Sequence, residues 1–269
     1  MFPDSLVNTG LTKKGSLLWK IGRWVENTTY CSADKIIVIA NDFKRNIMAK
    51  GVQEFKIDVI YNWVDISKIQ YAEKMSNMLF NEFGIDRDKF IAVYAGSLGV
   101  AQNAKILVDV AEQLKDHKDI LIIIFGRGEQ ESEIRKSIEE RKLNNIQLLP
   151  LQPADRVAEV YSLGDVGIVT CMPGTGAAGM PSKTWSIMAC SRPVILSFDK
   201  GSELSEIITE NECGLCSSAG DVQQLKYSID YFFQNQTKAM MMGRNARDFV
   251  VNNVDRASAI DKYSKLFHV

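Results

Sequence analysis

Histidine is nearly absent from this 269-residue chain, with two copies, and cysteine is sparse, with five. Two histidines as far apart as His117 and His268 do not assemble a histidine-rich metal site. Five scattered cysteines are an odd number, which fits reduced thiols in a cytoplasmic protein better than a disulfide framework. Cys213 and Cys216 match C-x-x-C, either a redox or zinc half-site or small apolar residues on a strand, and no second such pair accompanies them. The 32 basic and 33 acidic residues leave a net charge of -1, so nothing electrostatic argues for a nucleic-acid partner. No stretch approaches the roughly 18 consecutive apolar residues that would span a bilayer. The start, Met1-Phe2-Pro3-Asp4, lacks the basic and apolar segments of a signal peptide.

What the sequence does have is alternation. Apolar runs at 36–40, 57–60, 90–95, 120–125, 146–149, 166–170 and 193–197 are separated by helical stretches, the pattern of parallel strands buried on both faces. Ile106, Val110 and Leu114 mark the inward stripe of one helix, and Val157, Val160 and Tyr161 that of another. The βαβα order predicts an α/β doubly wound sheet. Only two strands precede a seam at Tyr61-Asn62-Trp63-Val64-Asp65, too few for an independent domain of this kind, and at least five follow it. The expectation is a partial domain followed by a complete one. A last helix spans 255–267, with Ala259, Ile260, Tyr263 and Leu266 as its apolar positions.

Open α/β sheets bind ligands beyond the carboxyl ends of their strands, which singles out four loops. Gly96-Ser97-Leu98-Gly99 offers backbone N–H groups to an anion, or is a plain strand-to-helix turn. Gly126-Arg127-Gly128 places a guanidinium where it forks onto a phosphate, or is a solvated loop. Gly174-Thr175-Gly176-Ala177-Ala178-Gly179 matches G-x-G-x-x-G, with Asp199 twenty residues after Gly179 where a ribose-binding acid sits in dinucleotide folds. Against that reading, Cys171, Met172 and Pro173 intervene before the first glycine, and Pro181 starts the helix after the last. Either way a loop delivers its ligand to Pro181-Ser182-Lys183, a helix start with a positive charge, suited to a diphosphate. The fourth loop, Asp199 to Glu203 with Glu206, binds sugar hydroxyls or merely favours a helix N-terminus. Asp86-Arg87-Asp88 imitates a metal-holding D-x-D but precedes its strand, and reads as a turn.

These residues resemble the family-4 retaining glycosyltransferases over essentially the whole chain. Ala33-Asp34-Lys35-Ile36-Ile37-Val38-Ile39 is similar to the family's "ADxIIVxS", and Val59-Ile60-Tyr61-Asn62-Trp63-Val64-Asp65 to its "VIPNGVD" hinge. Tyr94-Ala95-Gly96-Ser97-Leu98-Gly99 matches the opening strand and loop of the nucleotide-binding domain. Met188 to Ile195 resembles "MAxGxPVI", with Glu206-Ile207-Ile208, Gly214 and Gly220-Asp221 following as in the family. The family's two glutamates, eight positions apart, fall on Ala178 and Ser186 here. Pro181-Ser182-Lys183 instead resembles a bacterial subgroup making O-antigen and capsular sugars, which includes N-acetyl-L-fucosamine transferases.

The resemblance implies a GT-B architecture of two Rossmann-like units. Residues 1–62 would be the remnant of an acceptor-binding domain, 63–250 a nucleotide-sugar-binding domain, and 251–269 a crossover helix returning to the N-terminal part. It implies transfer of a sugar from a UDP-sugar, with retention, to a glycan or polyprenyl-linked acceptor in bacterial surface polysaccharide synthesis, without metal or cofactor. Leaving-group charge develops on the β-phosphate, so Lys183 and Arg127 are the expected catalytic cations. Gly96, Ser97, Gly99, Leu151, Gly179, Ser182, Ser186, Glu203 and Glu206 are the expected nucleotide-sugar contacts. Contact with the inner face of a bacterial membrane would belong to the part of the N-terminal domain that is absent here. Two other readings stand beside this one: a nucleotide-sugar-binding fragment without activity, and a NAD-dependent oxidoreductase.

Overall fold

The computed structural model describes residues 12–267 together with Pro3, Leu6 and Val7. Met1, Phe2, Asp4 and His268, used above to weigh a leader and a metal site, lie outside them. The N-terminal part comprises α1 (Leu17–Ser32), β1 (Ile36–Val38), α2 (Asn41–Met48) and β2 (Ile57–Val59). β1 and β2 pair in parallel as a two-stranded sheet, with Ile36 opposite Ile57. Val38, Ile47 and Ile57 form its small core. The apolar run 36–40 gives a strand of three residues because Ala40 already precedes α2 as its N-cap.

The larger unit follows as α3 (Leu79–Glu82), β3 (Phe90–Ser97), α4 (Ile106–Gln113), β4 (Ile120–Arg127), α5 (Glu131–Glu140) and β5 (Ile146–Pro150). It continues with α6 (Val157–Leu163), β6 (Val166–Thr170), α7 (Lys183–Ala189), β7 (Val194–Phe198), α8 (Glu203–Glu210), β8 (Gly214–Ser218) and α9 (Val222–Gln234). Its six strands are all parallel, in the order β5-β4-β3-β6-β7-β8. Phe90, Ala92 and Tyr94 point to one face, against Leu107 and Val110 of α4, Leu114 just after it and Phe232 of α9. Ile91 and Val93 point to the other, against Val160 of α6, Trp185 of α7 and Ile208 of α8. Successive side chains alternate faces and both faces are covered, so the runs are apolar without interruption. The fold is the doubly wound α/β arrangement that the pattern predicts.

α10 (Gln236–Asn253) packs on α7, with Trp185 stacked on Phe249 at 6.0 Å between ring centroids. Residues 250 and 251, where the sequence reading divides the chain, lie inside α10, and the chain turns just after it. The Val64 N–H donates to the Val254 carbonyl at 3.0 Å, and the Arg256 N–H to the Val64 carbonyl at 3.2 Å. This bridge fastens the end of the chain to the hinge segment before α11 (Arg256–Phe267) begins. Arg247 on α10 donates to the carbonyls of Ile66, Ile69 and Ala189 and so fixes the hinge against α7. Asp86-Arg87-Asp88 is a turn: the Asp88 N–H donates to the Asp86 carboxylate at 3.0 Å, and Arg87 lies over the Phe80 ring.

Candidate functional site

β4 and β5 lie to one side of β3, and β6, β7 and β8 to the other, so the connections after β3 and β6 diverge and leave a crevice. That crevice is a cavity of about 550 Å³, walled by Ala95 to Ser97, by Thr170 and Cys171, by the 175–179 loop, and by Met180 to Lys183. Its two rims are tied together: the Met172 N–H donates to the Ala101 carbonyl at 2.9 Å, and the Thr170 hydroxyl to the Gln102 carbonyl.

Lys183 opens α7 with Ser182 as its N-cap, and its side chain turns back under the β3 loop. Its Nζ is shielded from solvent and has no hydrogen-bond partner. It stands 3.9 Å from the centre of the Tyr94 ring, whose face attracts a cation. Burial pushes its pKa down to about 8. An unpaired buried ammonium is costly unless a ligand neutralises it. Gly96 makes the room: at φ +140°, an added Cβ would stand 2.7 Å from Lys183 Nζ. Gly96→Ala is therefore expected to displace the lysine and strain the loop, lowering affinity for an anionic ligand about tenfold or more by calorimetry.

Gly126 and Gly128 serve packing. A Cβ on Gly126 would meet the Leu98 side chain at 2.6 Å, and one on Gly128 the Leu98 backbone at 2.9 Å. The Leu98 N–H donates to the Arg127 carbonyl at 3.0 Å, so the β3 and β4 loops are stacked on each other. The G-x-G-x-x-G loop departs from the dinucleotide fingerprint. It contains a single 3-10 turn at Gly176–Ala178 in place of a tight strand-to-helix turn. The Asp199 carboxylate, the would-be ribose acid, accepts from the N–H groups of Gly174 at 2.9 Å and Gly176 at 2.7 Å. It holds the loop open, and the NAD reading loses its acid.

The cavity gathers Gly96, Ser97, Gly179, Ser182 and Lys183 from the sequence-derived set. Leu151 and Ser186 line a smaller adjoining pocket of about 210 Å³ that shares Ala95, Gly96, Ser182 and Lys183 with it. The structure does not bring the others there. Arg127 is exposed at the end of β4 and lines neither pocket. Gly99 lies outside the lining, against Gln102. Glu203 is buried between the two units: its carboxylate accepts from the Asn41 backbone N–H and Nδ2, from the Asp42 N–H at 3.3 Å and from the Tyr61 hydroxyl. Burial and this carboxylate raise the Tyr61 pKa and keep the phenol protonated. Glu206 lines a separate groove with Lys44 and Arg45 of α2. Thr170, Gln102 and Phe198 line the cavity without having been singled out, since nothing local in the sequence marks them.

A family model described as "Glycosyl transferases group 1" matches residues 76–249, and one described as "Glycosyltransferase Family 4" matches residues 4–68. The chain belongs to the glycosyl transferases group 1 family. It is 22% identical over 267 residues to "Putative colanic acid biosynthesis glycosyl transferase WcaI" of Escherichia coli (strain K12), covering 97% of this chain and 64% of that protein. With "Probable glycosyltransferase WbjE" of Pseudomonas aeruginosa it shares 24% identity, covering 98% of this chain and 65% of that protein. The chain thus spans a little under two thirds of the length of these relatives. Among solved structures, Anabaena Alr3699/HepE in complex with UDP and glucose superposes with a TM-score of 0.81 at 18% identity, over 93% of this chain and 67% of that one. The C-terminal domain of the group 1 family protein LpcC from Francisella tularensis superposes at a TM-score of 0.61 and 17% identity, over 72% of this chain and 99% of that domain. The fold of this group 1 glycosyltransferase chain is accordingly of the GT-B type.

Proposed function

We propose that the cavity binds a UDP-sugar and that the chain supplies the donor-binding part of a retaining glycosyltransferase, whose acceptor is a glycan or a polyprenyl-linked sugar. The observation that carries this is Lys183, a buried ammonium with no partner at the boundary of two pockets. A diphosphate at Gly96, Ser182 and Lys183 leaves the smaller pocket, with Leu151 and Ser186, for the nucleoside and the larger for the sugar. The charge that develops on the departing β-phosphate is then stabilised by Lys183 and backbone N–H groups, without a proton transfer to the leaving group. Arg127 takes no part in this account, and Ser186 takes the place on the ribose that the family gives to a glutamate.

The name of the colanic acid biosynthesis relative supports a polysaccharide as the destination, and an N-acetylated deoxysugar fits the Pro181-Ser182-Lys183 resemblance. UDP is expected to raise the melting temperature of the protein at micromolar to millimolar concentration, and NAD is not. Stabilisation by NAD without UDP would overturn the reading. Turnover of a UDP-sugar with a supplied acceptor, with the product's anomeric configuration read by NMR, tests activity and retention. UDP binding without turnover would favour a binding fragment that lacks the acceptor half.

A further inference from the structure

The larger sheet has a second concave end. Where its strands begin, opposite the Lys183 cavity, a pocket of about 310 Å³ lies between the start of β3, the turns before β6 and β7, and the first turns of α10. The length of β3 separates the two sites by roughly 20 Å, from Phe90 in this pocket to Ser97 in the other. Close backbone packing builds it. Gly243 of α10 approaches the turn after α7 so nearly that an added Cβ would stand 2.2 Å from the Ser191 carbonyl oxygen. The residues that follow these two, Arg192 and Arg244, therefore line one pocket.

Neither guanidinium is neutralised by the protein. Among the described residues no carboxylate pairs with Arg192 or Arg244, and the exposed Arg244 guanidinium makes no hydrogen bond. Arg192 donates through Nη2 to the Ser162 carbonyl at 3.0 Å and lies 4.7 Å from the centre of the Tyr71 ring, while its Nε is shielded from solvent without a partner. The one acid in the lining, Asp165, is already occupied, accepting from the Ile91 N–H at 2.7 Å and from Lys74 at 3.4 Å. The 18-residue α10 starts in the lining at Gln236 with no side-chain cap, so the positive end of its dipole adds to the two arginines. Such a site suits an oxyanion. Its walls ask for more than a bare ion, because Tyr71 and Met240 are exposed in the same lining and the volume is that of a small-molecule pocket. We propose that this pocket binds an organic phosphate, with the phosphate on Arg192 and Arg244 and the organic part against Tyr71 and Met240. The site uses no residue of the Lys183 cavity and does not depend on the sugar-transfer reading.

Calorimetry with phenyl phosphate on protein held in excess UDP tests this, at about pH 7.5 where the phosphate is mostly a dianion. Binding with a dissociation constant below about 1 mM is expected. Inorganic phosphate should bind about tenfold more weakly, since it leaves the apolar wall unused. Arg244→Glu, at an exposed position, should weaken phenyl phosphate about tenfold or more, and Arg192→Lys, which keeps the charge but loses the fork, about fivefold. An unchanged melting temperature would show that the Arg244→Glu protein is folded. Lys183→Met, with or without UDP, should leave phenyl phosphate affinity within about twofold, so the result stands apart from the fate of the UDP reading. Absence of binding, or binding that Arg244→Glu leaves intact, would overturn the proposal. So would binding that Lys183→Met abolishes, because the phosphate would then lie in the other cavity. Equal affinity for inorganic phosphate would overturn the assignment of an organic ligand.

Discussion

Replacing Lys183 by methionine is expected to raise the melting temperature of the unliganded protein while sharply reducing its stabilisation by UDP. The two effects have one cause. The drop in the lysine's pKa from 10.5 to about 8 corresponds to a penalty of about 3 kcal/mol on its buried charge. The Tyr94 face at 3.9 Å returns part of that, so a net gain of about 1–2 kcal/mol is expected for the apolar replacement. Methionine fills similar space and makes no demand for a partner. The lost charge-assisted contact should weaken UDP binding about tenfold to a hundredfold.

The pH dependence follows with a definite sign. The folded-state pKa lies below the unfolded one, so between about pH 8 and 10.5 the unfolded chain holds the extra proton. This group therefore destabilises the free wild-type protein below pH 8, and the penalty fades as pH rises through that window. UDP needs the protonated lysine, so its affinity should hold steady from about pH 7, where its terminal phosphate is ionised, to about pH 8 and fall above that, with proton uptake on binding. Methionine at 183 should remove both dependences. Calorimetry in buffers of different ionisation enthalpy measures the uptake directly, and a pH-independent UDP affinity up to pH 10 in the wild type would separate Lys183 from the diphosphate.

The sheet was legible because burial on both faces makes strand and apolar run nearly the same thing, as at Ile120–Arg127. The helix start at Lys183 was legible for a related reason. Pro181 and Ser182 announce a helix start locally, and the strand before them puts that start at the sheet's carboxyl edge. At Gly126-Arg127-Gly128 the sequence left two readings open, because glycine reports only that something approaches closely. Here that something is Leu98, contributed by the neighbouring loop. Asp199 has a spacing that suits a ribose, while its carboxylate is spent on the N–H groups of Gly174 and Gly176. The walls at Thr170 and Gln102 come together only because β6 pairs with β3 across the reversal in strand order, a tertiary event that no local pattern records.

Glu203→Ala is expected to destabilise the protein by about 2–4 kcal/mol, the cost of buried donors left unpaired, while leaving the UDP affinity of the folded protein within about twofold. α2 and α8 meet start to start, and each start is held by a carboxylate from the other. Glu203 accepts from Asn41 and Asp42, and Asp42 accepts from the Glu203 N–H at 2.9 Å. Both carboxylates thus satisfy N–H groups that a helix cannot satisfy itself, at the end where its dipole favours negative charge. Truncation at 203 leaves the Asn41 N–H, the Asn41 amide and the Tyr61 hydroxyl facing an empty, poorly hydrated space. Glu203→Gln keeps the shape and one acceptor oxygen, and should cost roughly half as much. Because Glu203 and Asp42 are mutual, a double-mutant cycle with Asp42→Ala should show a coupling of about 1–3 kcal/mol. The clamp joins the β1–β2 unit to the larger sheet, so its loss should also divide one thermal transition into two, resolved by calorimetry. The outcome that separates the roles of this glutamate is simple: a folded Glu203→Ala protein that has lost UDP affinity would return the residue to the donor site, and one that melts early but binds UDP normally would leave it at the interface between the two halves.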